Sequence, residues 1–312
     1  MILALAGGVG GARMAAGLNR VLGKDLTVVV NTGDDFEHLG LSISPDLDTV
    51  MYSLAGINNP LTGWGIAGET WEFMGMLERL GGETWFRLGD RDLAVHLERT
   101  RRLAAGESLS AVTAALCARL GIRGSVAPMS DQPVRTMVKS DLGELPFQDY
   151  FVRLQCEPVL RGLRFDGAPR ARISPPFAAG LADAALAGVV ICPSNPYLSI
   201  QPIREVPGVE TSLRARRVPA IAVSPIVGGR AIKGPAAKIM RELGREPSAL
   251  EIARYYLGLI NGLVIDDADA SLAPAIAGLG MQVLATRTIM DSTADAVALA
   301  HHCLAFLQQL RR

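Results

Sequence analysis

Four aspartates stand in two short stretches near the start of the chain, with a spacing suited to a metal ion. Asp34 and Asp35 end the sequence NTGDD, which follows the β-branched run LTVVV, and Asp46 and Asp48 stand two residues apart in SPDLDT. Mg²⁺ in proteins is usually held by one or two carboxylates together with substrate phosphates. We therefore expect Asp34, Asp46 and Asp48 to be metal ligands, and Asp46 and Asp48 to be candidate catalytic residues. A solvated turn and simple helix capping are the alternatives.

A glycine-rich turn follows the first apolar run of the chain. The run ILALA at residues 2–6 is followed by GGVGGAR, after which the apolar residues take a helical spacing. Glycines let the amides at a helix N-terminus approach a phosphate closely, so we expect Gly8, Gly10 and Gly11 to bind one, with Arg13 adding charge. The turn lacks the Lys-Ser/Thr pair of an ATPase P-loop and does not match a dinucleotide fingerprint cleanly. A tight strand–helix turn is the alternative.

Two later loops also follow predicted strands. SN stands between two prolines after GVVIC, and SPIVGG follows PAIAVS and leads into a Lys-containing segment. Rigid loops at the carboxyl ends of strands are suited to hydrogen-bonding a base, a ribose or a phosphate, although turn chemistry alone would explain either loop. The candidate ligand-binding residues in these loops are Ser194, Asn195, Ser224, Gly228, Gly229 and Lys233.

The sequence LGDRD precedes a predicted helix that carries a histidine. Asp90 is a candidate N-cap, which leaves Arg91 free to contact a phosphate or a polar ring edge. His96 lies four residues after Asp92, so a pair on the helix surface is the alternative to a role in the site.

Strands and helices alternate in the way that a doubly wound, mostly parallel sheet requires. The strands are predicted at residues 2–6, 26–30, 188–192, 219–224, 262–265 and 281–285. The helices between and after them are predicted at residues 12–22, 234–243, 248–258 and 291–309. The sequence therefore predicts an α/β, Rossmann-like fold.

The middle of the chain departs from this alternation. Residues 71–80, 92–105 and 108–120 have helical patterns, and residues 133–165 alternate like short strands around a turn at residues 141–143. We interpret residues 61–175 as a largely helical insertion or lid. The nucleotide-binding core would then consist of residues 1–60 and 176–312.

Composition excludes several classes of protein. The 312 residues include 31 Lys and Arg against 31 Asp and Glu, which does not fit a basic nucleic-acid-binding protein. No apolar run reaches the length of a membrane span, and the N-terminus lacks the positive charge of a signal peptide. The 4 cysteines are scattered without a CxxC motif, so we expect free thiols in a cytoplasmic protein.

Charge is segregated along the chain despite the neutral total. Residues 25–78 contain nine acidic and no basic side chains, whereas residues 204–245 contain nine basic and three acidic ones. These stretches could be separate solvated faces. They could also be the metal-binding and phosphate-binding sides of one cleft, which is the hypothesis we take forward.

These motifs, in this order, resemble the 2-phospho-L-lactate transferase family of the CofD and FbiA type. The resemblance is carried by GGVGGAR, NTGDD, SPDLDTVMY, WGIAGETW, LGDRDLAVHLERT, PSNPYLSIQPI and SPIVGGRAIKG, and it runs nearly end to end. It implies an Mg²⁺-dependent phosphotransferase of coenzyme F-420 biosynthesis. The donor would be a guanosine diphosphate-linked lactate, enolpyruvate or similar phospho-acid. The acceptor would be the terminal ribityl hydroxyl of the deazaflavin Fo, and GMP would leave.

The resemblance also implies roles for individual residues and an expected homodimer. The glycine turn and the two later loops would hold the guanosine diphosphate, and the aspartates would surround the metal and the incoming hydroxyl. Arg91 would act in catalysis by positioning the deazaflavin, with Trp64 and Trp71 as weaker candidates. The remaining residues assigned to ligand binding are Asn31, Asp35, Asp90 and His96.

Two other functions stay open. A non-catalytic, sugar-nucleotide-binding regulator of the YvcK-like type would share the sheet and the glycine turn, but it would not require both SPDLDT and GDRD. An NAD-linked oxidoreductase is weakened by the poor dinucleotide fingerprint. Nothing in the sequence selects among lactyl, enolpyruvyl and glyceryl donors.

Overall fold

The apolar runs predicted as strands form one parallel sheet in the computed structural model, which describes residues 1–311. The strands are β1 (Ile2–Ala6), β2 (Leu26–Val30), β3 (Phe36–His38), β4 (Leu41–Ile43), β5 (Ser125–Pro128), β6 (Arg135–Ser140), β7 (Gly143–Pro146), β8 (Leu160–Asp166), β9 (Gly188–Ile191), β10 (Ala220–Val223), β11 (Ile226–Val227), β12 (Arg230–Ala231), β13 (Gly262–Ile265) and β14 (Gln282–Ala285).

Helices connect these strands and cover the sheet. They are α1 (Gly8–Leu22), α2 (Pro45–Ala55), α3 (Glu72–Arg79), α4 (Asp90–Ala104), α5 (Leu109–Arg119), α6 (Pro175–Ala182), α7 (Gln201–Glu205), α8 (Val209–Ala215), α9 (Ala236–Glu242), α10 (Ala249–Tyr255), α11 (Ala273–Ala277) and α12 (Thr293–Leu310). Single turns of 3-10 or π-helix occur at Gly23–Asp25, Asp149–Arg153, Ala168–Arg170, Pro196–Ile200 and Asp267–Leu272.

The central sheet is doubly wound, as predicted. Its strand order is β14-β13-β10-β9-β1-β2-β5, and every pair in it is parallel. The chain runs outward from β1 through β2 to β5, and then returns to the other side of β1 to start β9. In such a sheet, ligands bind beyond the carboxyl ends of the strands where the order reverses. That point lies between β1 and β9.

Strand β1 is apolar at every position because both faces of the sheet are covered. Ile2, Ala4 and Ala6 pack into the core formed with α1, α2 and α12. Leu3 and Leu5 pack into the opposite core, which is formed with α6, α9 and α10. The alternation of side chains in a strand thus divides β1 between two cores.

The range 61–175 contributes a strand that the sequence analysis did not predict. β5 pairs in parallel with β2 at the edge of the central sheet, with Val126 opposite Val28. The short segment SVAP follows a glycine, ends in a proline and contains one β-branched residue, Val126, so periodicity gave no signal. The three predicted helices of this range are confirmed as α3, α4 and α5. Residues 133–165 form the antiparallel sheet β7-β6-β8, as the alternating pattern predicted.

Within residues 1–311, no helix combines the length and the apolar character that crossing a bilayer requires.

The four cysteines are buried free thiols, as predicted. Burial raises the pKa of Cys117 and of Cys303 to about 12, and that of Cys156 to about 11. Because the thiolate is the reactive form, we expect the native protein at pH 8 to react with a thiol reagent such as Ellman's reagent only slowly. In guanidinium chloride all four should react at once. A thiol that reacts rapidly in the native protein would contradict this burial.

Candidate active site

One cavity of about 690 Å³ lies beyond the carboxyl ends of the central strands. Its walls come from the turns that follow β1, β2, β9, β10 and β14, together with α2, α4 and residues 147–155. This volume is in the range of small-molecule sites, and the position is the one that the strand order favours.

The glycine turn forms the first turn of α1 and is packed tightly against two other loops. The Gly7 amide donates to Ser194 Oγ over 3.0 Å, and the Gly8 amide donates to Asp46 Oδ1 over 2.7 Å. Gly8 has a φ of +63°, which favours glycine. The amides of Val9 and Gly10 border the cavity, and amides in a first helical turn have no partner within the helix. They are therefore available to an anion.

The approach of the glycine turn to the loop after β9 gives a testable prediction. A Cβ atom at Gly10 would lie 2.5 Å from the Pro193 carbonyl oxygen, a backbone atom that cannot move alone. We expect Gly10→Ala to lower the free energy of unfolding by roughly 1–3 kcal/mol and to weaken the binding of an anion at the turn, because the loops must separate. Chemical denaturation and calorimetry would measure the two effects.

Gly75→Ala in α3 is the matched control. A Cβ atom at Gly75 meets nothing within 4 Å. This variant should be stabilised by roughly 0.5–1 kcal/mol, since alanine is the better helix former. If the two variants had the same stability and the same binding, the close approach at Gly10 would contribute to neither.

Asp34 and Asp46 are buried side by side at the cavity wall. Asp46 Oδ2 accepts a hydrogen bond from Asn31 Nδ2 over 2.9 Å, whereas Asp34 Oδ1 has no hydrogen-bond partner. Burial raises the pKa of Asp34 well above its ordinary value, and the nearby Asp46 carboxylate raises it further. Burial also raises the pKa of Asp46. A bound cation would relieve the cost of ionising both groups.

Asp35 points away from the cavity. Its Oδ2 accepts a hydrogen bond from Ser44 Oγ over 2.8 Å, and its Oδ1 has no hydrogen-bond partner. Burial raises the pKa of Asp35 to about 7, although Arg135 and Ser44 act in the opposite direction. Asp35 therefore supports the wall from behind.

Asp48 belongs to a buried network that joins α2 to α4. Its Oδ1 accepts a hydrogen bond from Arg99, and its Oδ2 lies 3.5 Å from His96 Nδ1. His96 Nε2 lies 3.3 Å from Asp92 Oδ2, and Asp92 Oδ1 accepts a 2.5 Å hydrogen bond from the Tyr52 hydroxyl. Four of these five side chains line the cavity, and only Arg99 lies behind it. The network holds this part of the cavity wall in one arrangement.

Aromatic side chains form another wall of the cavity. Trp85 and Phe86 come from the loop before α4, with ring centroids 5.7 Å apart. Phe147 and Phe151 are stacked with centroids 5.2 Å apart. The Arg153 guanidinium lies 4.4 Å above the Trp85 ring and connects the two segments. Such faces can stack on a planar ring.

Two basic residues border the cavity beside the glycine turn. Arg13 Nη1 donates to the Met290 carbonyl oxygen over 2.6 Å, and Lys233 Nζ lies 3.5 Å from the Thr62 carbonyl oxygen. Partial burial and the neighbouring Arg13 lower the pKa of Lys233. Together they place two positive charges beside the glycine turn, whose Gly8 amide is also hydrogen-bonded to the Asp46 carboxylate.

Comparison with known proteins decides the family. The family model described as 2-phospho-L-lactate transferase CofD matches residues 2–278. The chain belongs to the CofD family. Two curated relatives agree with this. A phosphoenolpyruvate transferase of Streptomyces griseus is 39% identical over 99% of this chain and 99% of its own length. A 2-phospho-L-lactate transferase of Methanopyrus kandleri is 38% identical over 98% of this chain and 97% of its own length.

Solved structures agree on the fold of this CofD-family chain. A protein of the UPF0052 family from Bacillus halodurans superimposes with a TM-score of 0.62, covering 97% of this chain and 98% of its own. The two sequences are 13% identical, so this likeness concerns the fold alone.

Most of the predicted site residues of this CofD-family chain meet at the cavity. Those that line it are Gly8, Gly10, Arg13, Asp34, Asp46, Asp48, His96, Ser194, Asn195, Ser224 and Lys233. Three more predicted residues lie directly behind the cavity wall: Gly11, Asn31 and Asp35. Gly11 packs so closely that a Cβ atom there would lie 2.2 Å from Ser194 Oγ. Their roles in binding stay predictions.

Four predicted residues lie away from the cavity. Asp90 accepts hydrogen bonds from the Glu72 and Phe73 amides, so it caps α3 as well as beginning α4. Arg91 is exposed and donates to the Ala67 carbonyl oxygen over 2.9 Å. Gly228 and Gly229 form the turn between β11 and β12. The structure therefore does not bring Asp90 or Arg91 to the cavity, and their roles stay predictions.

Sequence reasoning missed two parts of the site in this CofD-family chain. Tyr52 and Arg99 complete the network around Asp48. A tyrosine at an apolar position of a helix and an arginine within a helix do not by themselves indicate a functional site. The aromatic wall was also missed because its members come from separate segments. The adjacent aromatic residues Trp85 and Phe86, just before LGDRD, were the one available hint.

The proposed division into an acidic and a basic side is correct only in part. Of the nine basic residues in 204–245, Lys233 alone lines the cavity. The others include Arg204 and Arg214, which pair with Glu210, and Lys238, which pairs with Glu242. These residues therefore have counter-charges of their own away from the cavity, whereas Arg13 and Arg87, from outside the stretch, line the cavity together with Lys233.

Proposed function

We propose that this chain transfers a phospho-acyl group from a guanosine diphosphate-linked donor to the terminal ribityl hydroxyl of the deazaflavin Fo, releasing GMP. The observation that carries the proposal is the combination, in one cavity, of an anion-binding helix N-terminus, buried carboxylates and an aromatic wall. Membership of the CofD family supports it, as do the relatives named as 2-phospho-L-lactate and phosphoenolpyruvate transferases.

The donor's diphosphate fits the end of the cavity that the glycine turn forms. The Val9 and Gly10 amides would donate to phosphate oxygens, and Arg13 and Lys233 would balance their charge. Asn195 Nδ2 is a buried donor without a hydrogen-bond partner, in the loop at the switch point of the sheet. It would donate to the nucleoside part.

The deazaflavin ring fits the aromatic end of the cavity. Trp85, Phe86, Phe147 and Phe151 offer apolar faces to a planar heterocycle, and a ring placed there directs its ribityl chain toward the carboxylates. This places the acceptor's ring at a different position from Arg91, the residue that the sequence indicated.

Asp34 and Asp46 fit the Mg²⁺ that the family resemblance implies. They are hard oxygen ligands, they are buried together, and Asp34 Oδ1 lacks a hydrogen-bond partner. Asp48 is less suited because Arg99 already balances its charge. When bound, Mg²⁺ would neutralise the diphosphate and stabilise charge on the transferring phosphoryl group.

The residues of the chain then act mainly by positioning and electrostatics. The ribityl oxygen bonds to the phosphorus that carries the acyl group, and the bond from this phosphorus to the bridging oxygen breaks. GMP leaves with that oxygen and its electron pair. The hydroxyl proton passes to a carboxylate of the α2 wall, while the Val9 and Gly10 amides hold the phosphate oxygens in line.

Mass spectrometry of the product tests this function and identifies the donor. Purified protein would be incubated with Fo, Mg²⁺ and, separately, the lactyl, enolpyruvyl and glyceryl guanylyl donors. We expect one donor to give Fo enlarged by its phospho-acyl group, together with an equal amount of GMP. Absence of product from every donor, with donor binding retained, would instead favour a nucleotide-binding regulator. The homodimer and the cytoplasmic location stay predictions, which sedimentation and localisation measurements, respectively, would test.

A further inference from the structure

Arg99 is a buried cation directly behind the cavity wall. It is 1% exposed, and its guanidinium donates to Asp48 Oδ1 and, over 3.2 Å, to the Ser42 carbonyl oxygen. Burying a guanidinium is costly unless a counter-charge and hydrogen bonds compensate for its lost hydration. Among residues 1–311, the carboxylate that forms an ion pair with Arg99 is that of Asp48. The fold therefore maintains this pair at a specific place.

Arg99 also determines which nitrogen of His96 carries the proton. Its Nη1 lies 3.2 Å from His96 Nδ1, and an arginine can only donate. Nδ1 must therefore accept, which leaves the ring proton on Nε2. Nε2 lies 3.3 Å from Asp92 Oδ2 but makes no hydrogen bond. The Tyr52 hydroxyl holds Asp92 from the other side. His96 consequently offers no proton to Asp48.

One oxygen of Asp48 is left without a partner by this arrangement. Oδ1 is held by Arg99, whereas Oδ2 is buried and has no hydrogen-bond partner. Asp48 lines the cavity on the same wall as Asp34 and Asp46. A buried acceptor without a partner calls for a ligand or water that supplies the missing donor.

Arg99 also argues against a second cation at this position. Asp48, Asp92 and His96 each offer a ligand atom within 4.8 Å of the others, which is close enough for a metal ion. However, Arg99 contacts both Asp48 and His96 and would repel a cation there. A hydroxyl group is the occupant that fits a fixed, negatively charged acceptor beside a permanent positive charge.

We propose that Arg99 is a positioning residue, which holds Asp48 so that its Oδ2 accepts the hydrogen bond of the incoming acceptor hydroxyl. This inference rests on the proposed function. As the ribityl oxygen bonds to phosphorus, the O–H bond breaks and its proton moves to Asp48 Oδ2. Arg99 touches neither substrate, so it acts only through Asp48.

Steady-state kinetics of Arg99→Met and Arg99→Lys test the proposal. We expect Arg99→Met to lower kcat by ~10²-fold, because Asp48 loses both its orientation and its counter-charge. The KM for the guanylyl donor should stay within about twofold, since uniform donor binding is not affected. Arg99→Lys should recover part of the loss because it keeps the charge without the two-pronged geometry. Arg102→Met is the control. It removes another arginine of α4, which pairs with Glu107 beyond the end of the helix, and it should have normal kcat.

A double-mutant cycle separates positioning from general destabilisation. In the Asp48→Asn background, adding Arg99→Met should change kcat by less than threefold, because Arg99 has lost the group through which it acts. This background also serves if Arg99→Met alone fails to fold, since neither buried charge is then unpaired. A full ~10²-fold loss in both backgrounds, or near-normal kcat of Arg99→Met, would overturn the proposal. Wild-type protein that forms no product with any donor would instead reject the proposed function itself.

Discussion

Asp48→Asn is expected to reduce turnover of the proposed transfer by ~10²-fold or more while the fold is retained. Asparagine has the same size as aspartate and can still accept from Arg99, but it cannot take a proton from the acceptor hydroxyl. In the proposed arrangement the donor's diphosphate would contact other parts of the cavity, so donor affinity should change little. Single-turnover kinetics with saturating donor would measure the chemical step directly.

The stability of this variant must be measured beside its activity. Removing the Asp48 charge leaves Arg99 buried without its ion-pair partner, and breaking a buried pair in this way costs about 3–5 kcal/mol. We expect a lower Tm for Asp48→Asn, and recovery of much of the Tm, but not of turnover, in Asp48→Asn/Arg99→Met.

Asp131→Asn is the control for the loss of an aspartate outside the cavity. Asp131 holds the Ser110 amide and hydroxyl at the start of α5. This variant should lose some stability and keep its turnover. Near-normal turnover of Asp48→Asn would remove Asp48 from the mechanism, whereas inactive Asp131→Asn would show that the assay reports folding alone.

The fold was predictable where single segments carry their own pattern. β1 and β2 are continuous apolar runs because helices cover both faces of the sheet, and their ends are marked by Gly7 and Asn31. β5 was not predictable in this way. Its place in the sheet depends on pairing with β2, almost a hundred residues earlier in the chain, and its own four residues show no period.

The candidate site was predictable where its residues follow the ends of strands. Parallel strands place their carboxyl ends at one edge, so the glycine turn, Asp34 and Ser194 had to lie near one another. Arg99 could not be found by this reasoning, because its role depends on the angle at which α4 crosses α2. The exposure of Arg91 was not predictable either, since one step around the helix separates the buried Asp92 from this exposed arginine.

Asp34→Asn is expected to abolish the response of the protein to Mg²⁺ and to reduce turnover by ~10²-fold or more. Asp34 is buried beside Asp46, and burial together with the Asp46 charge raises its pKa well above 3.8. A carboxyl group with a raised pKa binds its proton more tightly in the folded state. The metal-free protein therefore loses stability as the pH rises from about the ordinary carboxyl pKa through the raised value, and the ionised pair is least favourable at pH 8.

The direction of this pH effect on stability distinguishes a metal site from an ordinary buried carboxylate. At pH 8 we expect Mg²⁺ to raise the Tm of the wild type, and we expect metal-free Asp34→Asn to be more stable than the metal-free wild type, because a buried charge has been removed. The variant should show no further gain with Mg²⁺. Asp166→Asn, at an exposed aspartate paired with Arg164, should keep the full Mg²⁺ response. If Asp34→Asn kept that response, the cation would have to bind elsewhere, since Asp46 alone already has both oxygens hydrogen-bonded to the Gly8 amide and Asn31.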